Sequence, residues 1–284
     1  LYGIFLVFSG AGLVDGLLCL WLFGELIVTW NAMSYLTAIK DYRGILLSFT
    51  ASIALTFLSG WILLWLGIPH GEALLLAVVI GYGVMLLWDV ILLYQYFPQG
   101  EKGAFLFLRW VDQFLPLAFT GLFINIGLFA HLVIMWIGPL QVKVQGLFVG
   151  APYHDVPALA AFLTILVTTV NFVVSVEVNF YPKYKNYYSL FNDKGAVGDI
   201  KQAGEEMRKV LNVELKYTAL KQLLATALAI SLGGVILEYL PLGFNDLMEG
   251  YFRTLCVGYG IYAVANTMLL LLLYFTDYKG ALAA

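Results

Sequence analysis

The sequence predicts an all-α, polytopic bundle of transmembrane helices with about seven crossings in view, and three observations carry that prediction. Of 284 residues, 62% are hydrophobic and only 12% are charged, against about 25% charged in a soluble domain. The mean hydropathy is +0.88. The apolar residues come in unbroken stretches such as 44–68 and 73–97, and a bilayer core needs about 20 of them per helix. A soluble all-α protein would need polar faces at helical spacing. Those faces are absent, which sets the soluble alternative aside.

Apolar runs between charged breaks place the crossings near 10–36, 44–68, 73–97, 115–138, 156–178, 219–240 and 254–276. Residues 1–36 in one helix would reach about 54 Å, too long for one crossing. Leu1–Ser9 is therefore either the end of a preceding span, turning near Gly10 and Gly12, or part of a helix projecting beyond the bilayer. The first residue is not Met and the last six read as another helix opening, so an internal piece of a longer protein is expected.

Counting Lys and Arg in alternate loops puts thirteen of the fifteen on one side, leaving Lys143 and Arg253 on the other. The positive-inside rule makes the basic side cytoplasmic. Span five then runs inward and ends at Glu177, just before Tyr181, Lys183, Tyr184, Lys185, Tyr187 and Tyr188. These tyrosines are expected to form an interfacial aromatic belt. Glu177 is either an interfacial acid paired with a lysine or a functional group.

The one long hydrophilic segment, 179–222, is expected to hold an amphipathic helix at about 199–216 that starts near Asp199 and runs into span six. Its apolar stripe is Ile200, Ala203, Met207, Val210 and Leu211, and Lys201–Glu205 and Glu205–Lys209 pair on the other face. Residues 100–114 carry Phe105, Leu108 and Val111 on one face and Arg109, Asp112 and Gln113 on the other, the pattern of a helix lying in the interface.

Ionisable and amide groups inside spans are functional candidates, because burying them in hydrocarbon is costly. Asp15, Asp89, Asn125, His131, Asn171 and Glu177 meet that test, and their spread over several spans suggests a wet internal cavity. Enzyme signatures are missing: there is no GxxxxGK[ST] loop, and His70, His131 and His154 lie far apart with no ligand spacing. Cys19 and Cys256 sit inside apolar runs and match no metal or redox pattern. The chain is therefore expected not to be an enzyme and to need no cofactor, metal or nucleic acid.

Four segments together resemble the PelG family of exopolysaccharide exporters: "YLTAIKDYRGIL" (35–46), "GLFVGAPYHDVPALAAF" (146–162), "VVSVEVNFYPKYKNYYS" (173–189) and "LLLLLYFTDYKGAL" (269–282). The Val-Glu-Val-Asn-Phe-Tyr motif is the most specific. The resemblance implies a flippase-like fold of twelve spans in two lobes: residues 1–97 as the last spans of an N-terminal lobe, 98–114 as a cytoplasmic linker helix, and 115–284 in a C-terminal lobe. It marks Asp155, Glu177, Asn179 and Tyr181 as motif positions. Where members carry an Asp-Lys pair after the linker, this chain has His131, which departs from the pattern.

The function so implied is export of an amino-sugar-rich polysaccharide, free or lipid-linked, across the bacterial cytoplasmic membrane by alternating access. Asp15, Asp89, Asn125, His131, Asn171, Glu177, Asn179 and Tyr181 are the expected substrate-binding residues. The implied partners are a cytoplasmic glycosyltransferase, other membrane subunits of an export complex and the lipid bilayer. The alternative is a non-transporting scaffold that holds such a synthase at the membrane.

Overall fold

A computed structural model describes residues 2–98, 106–192, 195–240 and 243–284. Among these, seven helices are long and apolar enough to cross a membrane. The chain divides into two compact units, residues 1–107 with 143–149, and residues 108–142 with 150–284.

The first unit opens with a short helix, α1 (Tyr2–Phe8), followed by α2 (Leu13–Ala38), α3 (Tyr42–Trp65) and α4 (His70–Tyr96). The break over residues 9–12 divides the overlong first run, so no single helix spans residues 1–36. Lipid tails are as apolar as leucine, so these helices cannot choose a buried face by hydrophobicity. Small and polar residues choose it instead. Buried positions are Glu25, Thr29, Ala32 and Leu36 on α2, Gly44, Ser48, Ser52 and Gly60 on α3, and Ala73, Ala77, Val79, Gly81, Met85 and Asp89 on α4. Most recur every four residues, the spacing of one helix face. Trp21, Trp61, Trp65 and Leu87 are exposed, the reverse of a soluble core.

The α3–α4 turn is closed by Gly67 in the left-handed region (φ +80°). Ile68 N–H donates to Leu63 O at 3.2 Å and Gly67 N–H to Leu64 O at 3.1 Å, the paired bonds of a Schellman cap. The α2–α3 turn uses the same bonds, Asp41 N–H to Leu36 O and Lys40 N–H to Thr37 O, with Lys40 at φ +63°. Asp41 then caps α3 by accepting from Gly44 N–H at 3.0 Å.

Two short strands, β1 (Val142–Gln145) and β2 (Phe148–Gly150), form a hairpin in the loop between spans four and five, for which the sequence suggested no structure. Its tip belongs to the first unit. Gly146 turns there with φ +57°, and a side chain on it would strike the Ser9 carbonyl. Leu147 N–H donates to that carbonyl at 2.7 Å.

A 3-10 turn (Leu106–Trp110) leads into α5 (Val111–Ile137), the first helix of the second unit. Residues 99–105 of the expected linker lie outside the described residues, and its last four belong to α5. Span five is α6 (Pro152–Phe162), a 3-10 turn (Leu163–Ile165), α7 (Leu166–Val174) and a π-helical turn (Ser175–Phe180) that continues into α8 (Tyr181–Asn192). Then come α9 (Val197–Glu238), α10 (Asp246–Tyr274) and α11 (Tyr278–Ala283).

The 42 residues of α9 unite the expected amphipathic helix and span six. It starts at Val197 rather than Asp199, and no side chain caps it. The α10–α11 turn repeats the α2–α3 device. Asp277 N–H donates to Leu272 O and Thr276 N–H to Leu273 O, Thr276 has φ +58°, and Asp277 accepts from Gly280 N–H at 2.9 Å. Both turns carry Asp-Tyr-(Arg/Lys)-Gly, at 41–44 and 277–280.

Two apolar cores hold this unit. One gathers Ala161, Ile165, Leu237, Phe252, Cys256, Tyr259 and Ala263. The other joins Val176, Phe180 and Leu271, with Tyr184, Tyr274 and Phe275 against them. Tyr184, expected in a belt, packs edge-on to Tyr274 at 5.0 Å between ring centres.

Candidate functional site

The expected site residues divide among several neighbourhoods. In the first unit, Asp15 opens α2 and meets the hairpin tip: the Gln145 amide, oriented by its neighbours, donates to Asp15 Oδ2 at 3.1 Å and accepts from Gly12 N–H at 3.2 Å. Asp89 is fully buried beside Ser48, with neither carboxyl oxygen hydrogen-bonded among the described residues. Glu25, also buried, accepts from Trp21 Nε1 at 2.7 Å.

In the second unit, α7 and α9 share a polar seam. Asn171 Nδ2 donates to Thr218 Oγ1 at 2.7 Å and lies 3.3 Å from Ser175 Oγ, while Lys221 Nζ donates to Asn171 Oδ1. One turn along, buried Gln222 accepts from Thr168 Oγ1 at 2.5 Å and donates to Thr226 Oγ1 at 3.2 Å. Hydrogen bonds of this kind join membrane helices where apolar surface gives no preference. Asn171 was legible in the sequence. Lys221, Thr218 and Gln222 were not, because they fall where the expected amphipathic helix runs into span six.

The seam leads to the π-helical turn, which holds the Val-Glu-Val-Asn-Phe motif. A π turn wraps one extra residue into the helix and recurs at functional sites. The side chain of Glu177 lies outside the described residues. Asn179 donates from Nδ2 to Glu214 Oε1 at 2.8 Å, and Tyr181 begins α8 half exposed. Beside them α8 and α9 enclose an open groove of about 740 Å³, lined by Asn179, Lys183, Glu206, Lys209 and Glu214 among others. Cavities of roughly 300–1,000 Å³ hold small ligands.

Lys183 Nζ bonds Glu206 Oε2 at 2.9 Å and holds that carboxyl below its ordinary range. A depressed carboxyl stabilises the fold above its unfolded pKa and loses that contribution as pH falls through the folded one. Acidification below about pH 4, the ordinary glutamate range, will therefore loosen α8 from α9. Amide hydrogen exchange in residues 181–192 will rise there in the wild type, and the rise will be absent in Glu206→Gln.

At the opposite end of the unit, α5, α6 and α10 bring together side chains that the sequence kept apart. His131 Nδ1 lies 3.2 Å from His154 Nε2, and His131 Nε2 lies 3.0 Å from Tyr259 Oη. His154 Nδ1 is 3.3 Å from Asp155 Oδ1. Asp155 Oδ2 accepts from Trp136 Nε1 at 2.9 Å and from Ala151 N–H at 2.8 Å. The sequence named His131 and Asp155 but read the histidines as unrelated. The available signal was topological: the two lie near the same end of consecutive, hairpin-linked spans. Asn125, by contrast, is exposed and donates to Gly121 O of its own helix at 2.8 Å. His131 and Asn171 thus sit in separate networks, and among the described residues no cluster has the composition of a metal site.

A family model described as PelG, "Putative exopolysaccharide Exporter (EPS-E)", matches residues 1–284. No curated protein and no solved structure matches the chain.

Proposed function

Because the chain belongs to the PelG family, matched over its whole length, we propose that it carries an amino-sugar-rich exopolysaccharide outward across the cytoplasmic membrane, its two lobes alternating in access. The observation that carries this reading is the π-helical turn at Ser175–Phe180, which coincides with the most specific motif of the sequence. A polymer handed over by a cytoplasmic glycosyltransferase meets the groove of Asn179, Lys183 and Glu214 first. It then passes Glu177 and the seam of Asn171, Thr218 and Lys221. A carboxylate at that mouth attracts a partly cationic amino sugar, and the paired seam groups offer hydrogen bonds to hydroxyls. In this reading Asn125 and His131 are further substrate-contact positions of the second unit, and Asp15 and Asp89 are those of the first. The repeated Asp-Tyr-(Arg/Lys)-Gly turns support a construction from two related lobes.

Glu177→Gln will lower surface polymer about tenfold, the effect of one charge-assisted contact worth roughly 1.4 kcal/mol, with the membrane level of the protein unchanged. Normal polymer at a normal protein level defeats the proposal. A scaffold without transport predicts instead that loss of residues 199–216 releases the synthase while Glu177→Gln is silent.

The orientation has its own test. In a Cys19→Ser, Cys256→Ser background, a cysteine at Lys201 will resist membrane-impermeant thiol reagents in intact cells and react after permeabilisation. Labelling in intact cells reverses the proposed inward side.

A further inference from the structure

The chain of Asp155, His154, His131 and Tyr259 has its protons ordered by the groups at its end. Asp155 as a carboxylate only accepts, so His154 carries its hydrogen on Nδ1, 3.3 Å from Oδ1. Neutral His154 then has a bare Nε2, which accepts from His131 Nδ1–H across 3.2 Å. His131 Nε2 is therefore bare and accepts the Tyr259 hydroxyl hydrogen across 3.0 Å. Every link is satisfied in one direction, from tyrosine to carboxylate.

One more proton fits this chain and two do not. A single added proton is shared between His131 Nδ1 and His154 Nε2, and Tyr259 reverses to accept from His131 Nε2–H. A second would set two N–H groups face to face at 3.2 Å on two cations, losing the hydrogen bond and adding like-charge repulsion. Among the described residues no Lys or Arg bonds either ring: the Tyr251 ring stands edge-on to His154 at 5.4 Å, Trp136 is neutral, and Arg253 bonds Glu249 at 2.6 Å.

We propose that Asp155, His154, His131 and Tyr259 form a site for a single proton drawn from the outer solution. The side chain of Asp155 is 29% exposed and that of His154 only 4%, so the carboxylate is the wet end and Tyr259, in the apolar core with Phe162 and Cys256, is the dry end. Occupancy matters to packing. When the proton binds, the Tyr259 hydroxyl hydrogen gives up its acceptor in that core, and the bond tying α5 to α10 reverses. The outer location rests on the orientation proposed above. The proton count does not, so the two fail separately.

The test compares proton uptake from pH 8 to pH 5, spanning the ordinary histidine range near 6.5, by wild type and by His131→Gln/His154→Gln in lipid nanodiscs. The expected difference is one proton per chain. A difference of two means independent histidines, and a difference of zero means a pair that never charges; either overturns the proposal. Should the double variant fail to fold, nitrogen-15 NMR of histidine-labelled protein in a His70→Gln background decides the matter. At pH 8 both remaining rings must carry hydrogen on Nδ1, and an Nε2–H signature on either refutes the ordering.

Discussion

Asp155→Ala will destabilise the second unit by about 2–4 kcal/mol, seen as a lower midpoint for loss of monodisperse protein on heating in detergent. Three donors converge on this carboxylate: the Trp136 indole, the Ala151 amide and the His154 imidazole. Hydrogen bonds to a charged acceptor contribute about 1.5–3 kcal/mol each, and buried donors left without partners cost more than the bond gained. The sum is discounted because the side chain is partly exposed and water reaches some of the donors. The three donors come from α5, the start of α6 and α6 itself, so the loss also unties α5 from α6. Asp155→Asn keeps one oxygen but offers an N–H where an acceptor is needed, and will fall between alanine and wild type. An alanine variant as stable as the wild type would show that the convergence holds nothing together.

Gly81→Leu will prevent stable assembly of the first unit. A Cβ at this position meets the Thr56 hydroxyl and stands 2.9 Å from the Ser52 carbonyl oxygen. Thr56 cannot simply turn away, since its hydroxyl donates to that carbonyl at 2.9 Å, and the carbonyl is backbone. Even Gly81→Ala forces α3 and α4 apart, at a cost of about 1–3 kcal/mol for overpacking. Leucine adds a volume that no rotamer can place. Gly16→Ala is the control, because nothing lies within 4 Å of its added carbon, and replacing glycine inside a helix gains up to about 1 kcal/mol. Yield and monodispersity after membrane extraction will rank Gly16→Ala at or above wild type, then Gly81→Ala, then Gly81→Leu. A leucine variant that behaves like wild type would mean that α3 and α4 do not approach at this glycine.

What the sequence disclosed and what it withheld follow one physical line. Crossings were legible because the bilayer imposes a length of apolar residues that any run such as 73–97 displays by itself. The faces of those helices were harder, because contrast between oil and water does not select them. The stripes Ser48–Ser52 and Ala73–Ala77–Gly81 carry that information in residue size, which a search for polar faces overlooks. The hairpin is written in the alternation of Val142–Gln145 and the turn at Gly146, but a short loop between two spans drew no attention to alternation. Asn171 and His131 were visible as polar intruders, whereas their partners Thr218, Lys221, His154 and Tyr259 become partners only when distant segments are laid side by side. The π turn at Ser175–Phe180 has no compositional mark at all, since one extra residue per turn changes geometry and not residue type.

The twin turns at Asp41 and Asp277 have a consequence for how such a chain is assembled over time. Each closes one helix and opens the next with the same five residues' worth of chemistry, and each tolerates a bulky residue, Lys40 or Thr276, where glycine is the usual choice. A joint that works identically in two places is a portable part. Grafting residues 40–44 onto positions 276–280 should leave the recipient helix pair intact, because both turns close with the same pair of backbone bonds and the same aspartate cap.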